Sequence, residues 1–267
     1  VQHLTLPPFA RAALLLDMDG TLLDIAPTPD AVVVPQGLIA DLRALRTRLG
    51  GALAVVTGRP IAQVDALLGD APYAVAGEHG GAIRHAPGQT DQHAVLPEPP
   101  ADWLATGKAI AAAHPGALLE RKARGFVLHY RAAPEHGPAL QRALQALMQD
   151  TPGFAVLPAR MAWELKPLGA DKGTAVAALM NDTPFTGRLP IFIGDDVTDE
   201  DGMAAATHMG GAGLRVDEAF GTAQAVRNWL AAAARDGAWP PLPGPTATVT
   251  GFSPPLGSAS ATPPDVT

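Results

Sequence analysis

Five consecutive apolar residues, Ala12-Ala13-Leu14-Leu15-Leu16, run directly into Asp17-Met18-Asp19-Gly20. So short an apolar run, stopped by a turn signal, predicts a strand buried on both faces, as in a parallel sheet. Leu38, Leu42, Leu45 and Leu49 then recur at helical spacing, which places them on one face of a helix that Gly50-Gly51 ends. Residues 52–56 predict a second buried strand leading to Thr57-Gly58-Arg59-Pro60, followed by a helix over 61–68 and a strand over 73–76. Strands alternating with helices, with acidic or hydroxylic residues at the strand ends, predict a doubly wound α/β core of Rossmann-like type. Ligands of such sheets bind beyond the carboxyl ends of the strands.

After Pro97 the pattern changes. A helix over 103–113 precedes short strands at 117–122 and 125–131, joined by a turn at 123–124. A helix over 135–149 and strands at 154–157 and 161–166 follow. This helix–strand–strand unit, present twice, predicts a small α/β module spanning 97–167, inserted into a core formed by 1–96 and 168–243. The parallel pattern resumes with a helix over 172–179 and a buried strand over 189–194, and segments near 203–207, 212–216 and 223–234 complete it. From 244 to 267 the chain is rich in Pro, Thr, Ser and Gly, which predicts a mobile tail without a catalytic role.

The 267 residues are 47% hydrophobic and 17% charged, as in a globular protein with a real core. A net charge of −7 gives nucleic acid or an anionic membrane no electrostatic footprint. The absence of cysteine excludes disulfides, thiolate metal sites and cysteine nucleophiles. No apolar run reaches the ~20 residues of a membrane span. Val1-Gln2-His3-Leu4 has neither the basic start nor the apolar stretch of a signal peptide. A cytoplasmic location is expected.

Four places carry chemistry. Asp17 and Asp19, one residue apart at a strand end, repel each other unless a cation lies between them. Hard oxygen ligands of this kind suit Mg²⁺. One carboxylate can then attack phosphorus, and the other can protonate the leaving oxygen and later activate water. Gly20 allows an unusual backbone angle and lets main-chain N–H groups approach a phosphate. An aspartate-rich turn or a calcium-like loop is the alternative for these residues alone. In Gly194-Asp195-Asp196-Val197-Thr198-Asp199-Glu200, Asp195 is the candidate direct metal ligand. Asp196 and Asp199 are candidates for an outer layer holding waters or neighbouring groups, and acids favoured at a helix N-terminus are the alternative. The Thr57 hydroxyl and the Gly58 N–H, following a buried strand, are candidates to bind a phosphate oxygen; a common Thr-Gly turn without function is the alternative. Lys172 sits at a helix start where a cation is disfavoured; that makes sense if it offsets a phosphate and the aspartate cluster, and a solvated surface lysine is the alternative.

In this order, Asp-x-Asp-Gly-Thr, Thr57, Lys172 and Gly-Asp-Asp-x-x-Asp resemble the haloacid dehalogenase superfamily of phosphotransferases, over about residues 14–216. The resemblance implies that Asp17 is the nucleophile and Asp19 the acid/base. Thr57 and Lys172 would hold the transferring phosphoryl group. Asp17, the Asp19 carbonyl and Asp195 would bind Mg²⁺, and the N–H groups of Met18 and Asp19 would contact the phosphate. The inserted module looks like the cap of members acting on small sugar phosphates.

Strand alternation puts Glu120 and Lys122 on one face, His129 and Arg131 on one face, and Glu164 and Lys166 on one face. Three polar faces opposite apolar ones suit a surface that binds sugar hydroxyls. Here the chain resembles the trehalose-6-phosphate phosphatases. The carrying residues are 17–22, Gly-Glu-His-Gly at 77–80, Glu120-x-Lys122, Glu164-Leu-Lys-Pro, Asp171-Lys172-Gly173 and 194–200. The resemblance implies that Glu120, Lys122 and Glu164 engage the disaccharide. It also implies a partnership with a sugar-phosphate synthase. Glu78 departs from the family, which often has Asn there. Another sugar phosphate (sucrose phosphate or mannosyl phosphoglycerate) and an inactive phosphosugar-binding module remain the alternatives.

Overall fold

Two separate sheets organise the chain, whose computed structural model describes residues 5–26, 31–122, 124–159 and 161–244. The tail expected over 244–267 lies, apart from Gly244, outside the described residues, as does Ala123 of the expected 123–124 turn.

The first sheet begins with β1 (Ala12–Leu16), α1 (Leu38–Arg48), β2 (Leu53–Val56), α2 (Ile61–Leu68) and β3 (Ala74–Gly77). Two short strands follow, β4 (Ala82–Arg84) and β5 (Gln92–His93). The chain then builds the second sheet from α3 (Trp103–Ala112), β6 (Leu118–Lys122), β7 (Gly125–His129), α4 (Gly137–Met148), β8 (Phe154–Ala159) and β9 (Ala162–Pro167). It returns to the first through α5 (Lys172–Met180), β10 (Leu189–Gly194), α6 (Glu200–His208), β11 (Ala212–Arg215), α7 (Val216–Ala219) and α8 (Ala223–Asp236).

The first sheet has the order β11-β10-β1-β2-β3-β4-β5. β11 to β3 are parallel, and β4 and β5 extend the edge antiparallel. Every residue of β1 is buried, as a strand covered on both faces requires. Ala12, Leu14 and Leu16 join the core layer that includes Leu38, Leu42 and Leu45 of α1 and Val226 and Leu230 of α8. Ala13 and Leu15 join the opposite layer, with Val176 and Leu179 of α5 and Met203 and Ala206 of α6. Among the described residues no helix is long and apolar enough to cross a membrane.

The topology positions the site. From β1 the chain winds one way to β2 and β3, and later adds β10 and β11 on β1's other side. The crevice at that reversal lies beyond the carboxyl ends of β1 and β10. Leu16 pairs with Ile193, so Asp17 and Asp195 leave the sheet side by side.

The second sheet is antiparallel, ordered β6-β7-β9-β8, with its own core of Trp103, Phe126, Leu128, Leu140, Leu144, Phe154 and Leu165. Its other face carries the polar side chains. β7 stops at His129, short of the expected end at Arg131, which lies exposed in the following turn. The alternation that put Arg131 beside His129 therefore does not reach it. β4 and β5 had no signal in the sequence, because strands of three and two residues are too short to show a period.

Candidate active site

Asp17 sits immediately after β1 and is buried. Its N–H donates to the Ile193 carbonyl at 2.9 Å, fixing the residue to β10. Lys172, in the first turn of α5, donates from Nζ to Asp17 Oδ1 at 2.6 Å and to Asp199 Oδ1 at 2.5 Å. The lysine is aimed by its helix start. Asp171 caps α5 by accepting the Thr174 N–H at 2.7 Å, so the next residue points into the crevice. A lysine this buried is held charged only by paired anions. Burial opposes its charge, but Asp17 and Asp199 outweigh it and raise the pKa above the usual lysine value.

Asp199 is wholly buried. Its second oxygen accepts the Asp195 and Asp196 N–H groups at 3.1 and 3.0 Å. Both oxygens are thus committed to the lysine and to the loop after β10. Asp196 accepts the Val197 N–H at 2.7 Å and caps the short turn that follows, the helix-start role weighed above. Asp195 faces the crevice and accepts from the Thr21 hydroxyl at 3.4 Å.

Carboxylate oxygens of Asp17, Asp195 and Asp199 all lie within 4.8 Å of one another. Burial raises the Asp17 pKa to about 7; Lys172 opposes the rise and Asp199 and Asp195 add to it. Burial, then Asp199 and Asp196, raise Asp195 to about 6. Carboxylates that resist ionising because they are buried, and crowded besides, are what a divalent cation relieves. The donors are all hard oxygens, which fits Mg²⁺.

Gly20 is the residue that lets the two strand ends approach. Its φ is +82°, and a Cβ there would stand 2.1 Å from Asp195 Oδ2. Its own N–H donates to the Leu23 carbonyl at 2.7 Å, so the main-chain groups left open beside it belong to its neighbours. The N–H groups of Met18, Asp19 and Gly58 have no acceptor among the described residues. The Met18 side chain itself belongs to the core. Thr57 is buried at the end of β2, where its N–H donates to the Ala76 carbonyl.

Residues 15–225 match the family described as trehalose-phosphatase. A trehalose-6-phosphate phosphatase of Escherichia coli is 40% identical over 229 residues, 85% of this chain and 84% of that protein. The chain belongs to the trehalose-phosphatase family. A probable trehalose-phosphate phosphatase of Sinorhizobium fredii is 41% identical, covering 83% of this chain and 87% of that protein. The fold is shared with the C-terminal domain of C. albicans trehalose-6-phosphate phosphatase. There the TM-score is 0.69 at 19% identity, over 85% of this chain and 93% of that one.

The second sheet turns its polar face toward this crevice. Lys166 of β9 donates to the Ala170 carbonyl at 3.1 Å, two residues before Lys172. Glu120, Val127 and Glu164 stand abreast on β6, β7 and β9, so Glu120, Lys122 and Glu164 share the face expected of them. Glu120 is held by Lys122 at 2.5 Å and by His129 Nε2 at 2.8 Å. Burial opposes charge on Glu120, yet these two partners keep its pKa below the usual carboxylate range. Arg131 is not part of this row.

Two residues beside the crevice were given no role by the sequence. Arg59 forms a two-pronged ion pair with Asp19. Its signal was present: a cation two residues after Thr57, on a loop that must face the aspartates. His79, in the turn after β3, donates its N–H to the Thr57 carbonyl at 2.9 Å and rests its ring against Gly58.

Proposed function

We propose that this chain hydrolyses trehalose 6-phosphate to trehalose and phosphate, with Mg²⁺, through a phosphorylated Asp17. The observation that carries the reading is the buried Asp17–Lys172–Asp199 arrangement beside Asp195, facing a polar sheet surface that presents Glu120 and Glu164. Phosphoryl transfer asks mainly for positioning and charge stabilisation, and these groups supply both.

Asp17 Oδ attacks phosphorus and the bond from phosphorus to the sugar oxygen breaks, while Asp19 gives that oxygen its proton. Asp19 then takes a proton from water, whose oxygen attacks the phosphorylated Asp17 and releases phosphate. Lys172, the Thr57 hydroxyl and the N–H groups of Met18, Asp19 and Gly58 hold the phosphoryl oxygens. Asp17, Asp195 and the Asp19 carbonyl would bind Mg²⁺, which supplies positive charge between the carboxylates and the phosphate. Asp199 keeps Lys172 charged and in place, and Asp196 shapes the loop. The cap module, residues 97–167, offers Glu120, Lys122 and Glu164 to the sugar hydroxyls, because carboxylates accept and ammonium groups donate.

The chemistry also implies a supplier. A phosphorylated disaccharide arises when a sugar is transferred onto a sugar phosphate, so a cytoplasmic synthase of that class is the functional partner. Phosphate release from trehalose 6-phosphate, measured beside sucrose, glucose and mannose 6-phosphates with Asp17→Asn as blank, tests the reading. Preference for the trehalose ester, lost in the variant, is expected. Preference for another ester would remove the substrate assignment, and silence on all four with folded protein would remove the enzyme.

A further inference from the structure

His79 is a partly covered ionisable side chain beside the crevice that the reaction above leaves without work. Its backbone and that of Glu78 are both left-handed, with φ of +55° and +52°. Non-glycine residues adopt this conformation at a cost of about 1 kcal/mol or more each. Two in succession are tolerated because the turn is clamped: Glu78 N–H donates to the Arg59 carbonyl at 3.0 Å and His79 N–H to the Thr57 carbonyl. The fold thus holds a strained turn against the loop that carries the phosphoryl-binding groups.

The ring is given room deliberately. A Cβ on Gly58 would fall 2.6 Å from His79 Nε2, so residue 58 must lack a side chain for the imidazole to lie there. Nδ1 is shielded from solvent and has no hydrogen-bond partner among the described residues. The ring as a whole is only partly covered, which leaves Nε2 as its remaining hydrogen-bonding atom. Burial first, then the charges of Lys172, Lys166 and Lys122, depress its pKa to about 3. The imidazole is therefore neutral at physiological pH, and a neutral imidazole is suited to a hydroxyl rather than to a phosphate.

The three lysines also locate it. Lys172 belongs to the phosphoryl site, while Lys122 and Lys166 belong to the polar face of the second sheet, and all three act on one ring. A substrate with its phosphate at Asp17 and its far end at Glu120 and Glu164 would span the region between these lysines, where the ring lies. We infer that His79 is a sugar-binding residue, whose Nε2 hydrogen-bonds a hydroxyl of the phosphate-bearing ring. The inference rests on the sugar-phosphate reading and adds to it a contact made by the core rather than by the cap.

The test compares wild type and His79→Asn, since asparagine tolerates the left-handed backbone. The substrates are trehalose 6-phosphate and p-nitrophenyl phosphate, which has no sugar. Losing one hydrogen bond to a neutral group predicts about a tenfold fall in kcat/KM on the sugar ester, with less than about a twofold change on the aryl ester. Equal falls on both esters would overturn the inference in favour of a purely structural ring, and no fall on either would overturn it outright. If the wild type does not turn over trehalose 6-phosphate at all, the substrate reading fails and this inference with it. A second measurement leaves the residue intact. In Asp17→Asn with ¹⁵N-labelled histidine, the His79 Nε2 resonance is expected to move on adding trehalose 6-phosphate and to stay put with inorganic phosphate. Movement with phosphate alone would also overturn the inference.

Discussion

Arg59 closes on Asp19 with two prongs, Nε 2.6 Å from one carboxylate oxygen and Nη2 2.7 Å from the other. Both oxygens of the proposed acid/base are therefore occupied, and one must be released before Asp19 can carry a proton to or from substrate. The pair is partly exposed on the aspartate side and well covered on the arginine side, so the arginine is the fixed partner. Arg59 also reaches Gln63 of α2 at 3.2 Å, which ties the acid/base to a core helix.

Replacing Arg59 by leucine should lower kcat by about tenfold to a hundredfold, because a mispositioned acid/base forfeits part of the usual gain from proton transfer. Lysine should restore little, since one ammonium cannot replace a planar fork. Rapid-quench measurement of phosphorylated Asp17 is the check. Slower water attack in the variant makes the intermediate accumulate, and an unchanged intermediate level with normal kcat would contradict the role.

Asp199→Ala should destabilise the protein by about 3 kcal/mol, the usual range when one partner of a buried charged pair is removed. Lys172 loses an anion and the Asp195 and Asp196 N–H groups lose their acceptor. Urea unfolding monitored by fluorescence would show the midpoint fall. A variant as stable as wild type would mean that Lys172 is satisfied by Asp17 alone.

The depressed pKa of His79 predicts a pH-dependent stability of definite sign. Unfolded, the residue titrates near 6.5; folded, near 3. Between these values the unfolded chain binds more protons, so this contribution is complete above pH 6.5 and is lost as pH falls toward 3. The slope is at most about 1.4 kcal/mol per pH unit. Over that window His79→Asn should lose less stability on acidification than wild type, and parallel curves for the two would refute the shift.

Mg²⁺ should stabilise the protein most where Asp17 and Asp195 would otherwise hold protons at a disadvantage to the metal, that is, from about pH 7 upward. A hundredfold excess over Kd is expected to raise Tm by about 5–10 °C, and the gain should shrink by pH 5, where both carboxyls retain protons. Asp17→Asn should remove most of the gain. Equal stabilisation at both pH values would place the bound ion elsewhere.

Glu164→Gln should raise KM for trehalose 6-phosphate about tenfold while leaving kcat within a few fold, as loss of a binding contact distant from phosphorus does. Steady-state kinetics on the sugar ester and on p-nitrophenyl phosphate separate this from a folding defect, which would depress both.

The buried strands were legible because β1, β2 and β10 are covered on both faces and so are written as unbroken apolar runs. The meeting of Asp17, Lys172 and Asp195 was legible because each follows such a run or opens a helix. Three things were not. β4 and β5 are made by pairing with β3's edge, which no local pattern encodes. Arg131 was placed on a strand that ends early. That the Gly20 N–H closes on the Leu23 carbonyl was not legible either, because that partner is fixed by the loop's own turn. In each case the deciding partner is set by tertiary packing or by loop geometry that residue type does not reveal.

The parallel sheet pairs its first strand with one of its last. Asp17 and Lys172 are 155 positions apart, and Thr21 and Asp195 are 174 apart. As the chain is synthesised, Asp17 leaves the ribosome long before Lys172, Asp195 and Asp199, the groups that gather round its carboxylate. β1 must wait with an open edge until β10 arrives, a closure of high contact order that sets a slow step in folding. Phosphatase activity therefore doubles as a readout of completed synthesis, since a chain arrested before β10 has Asp17 without Asp195 and Asp199.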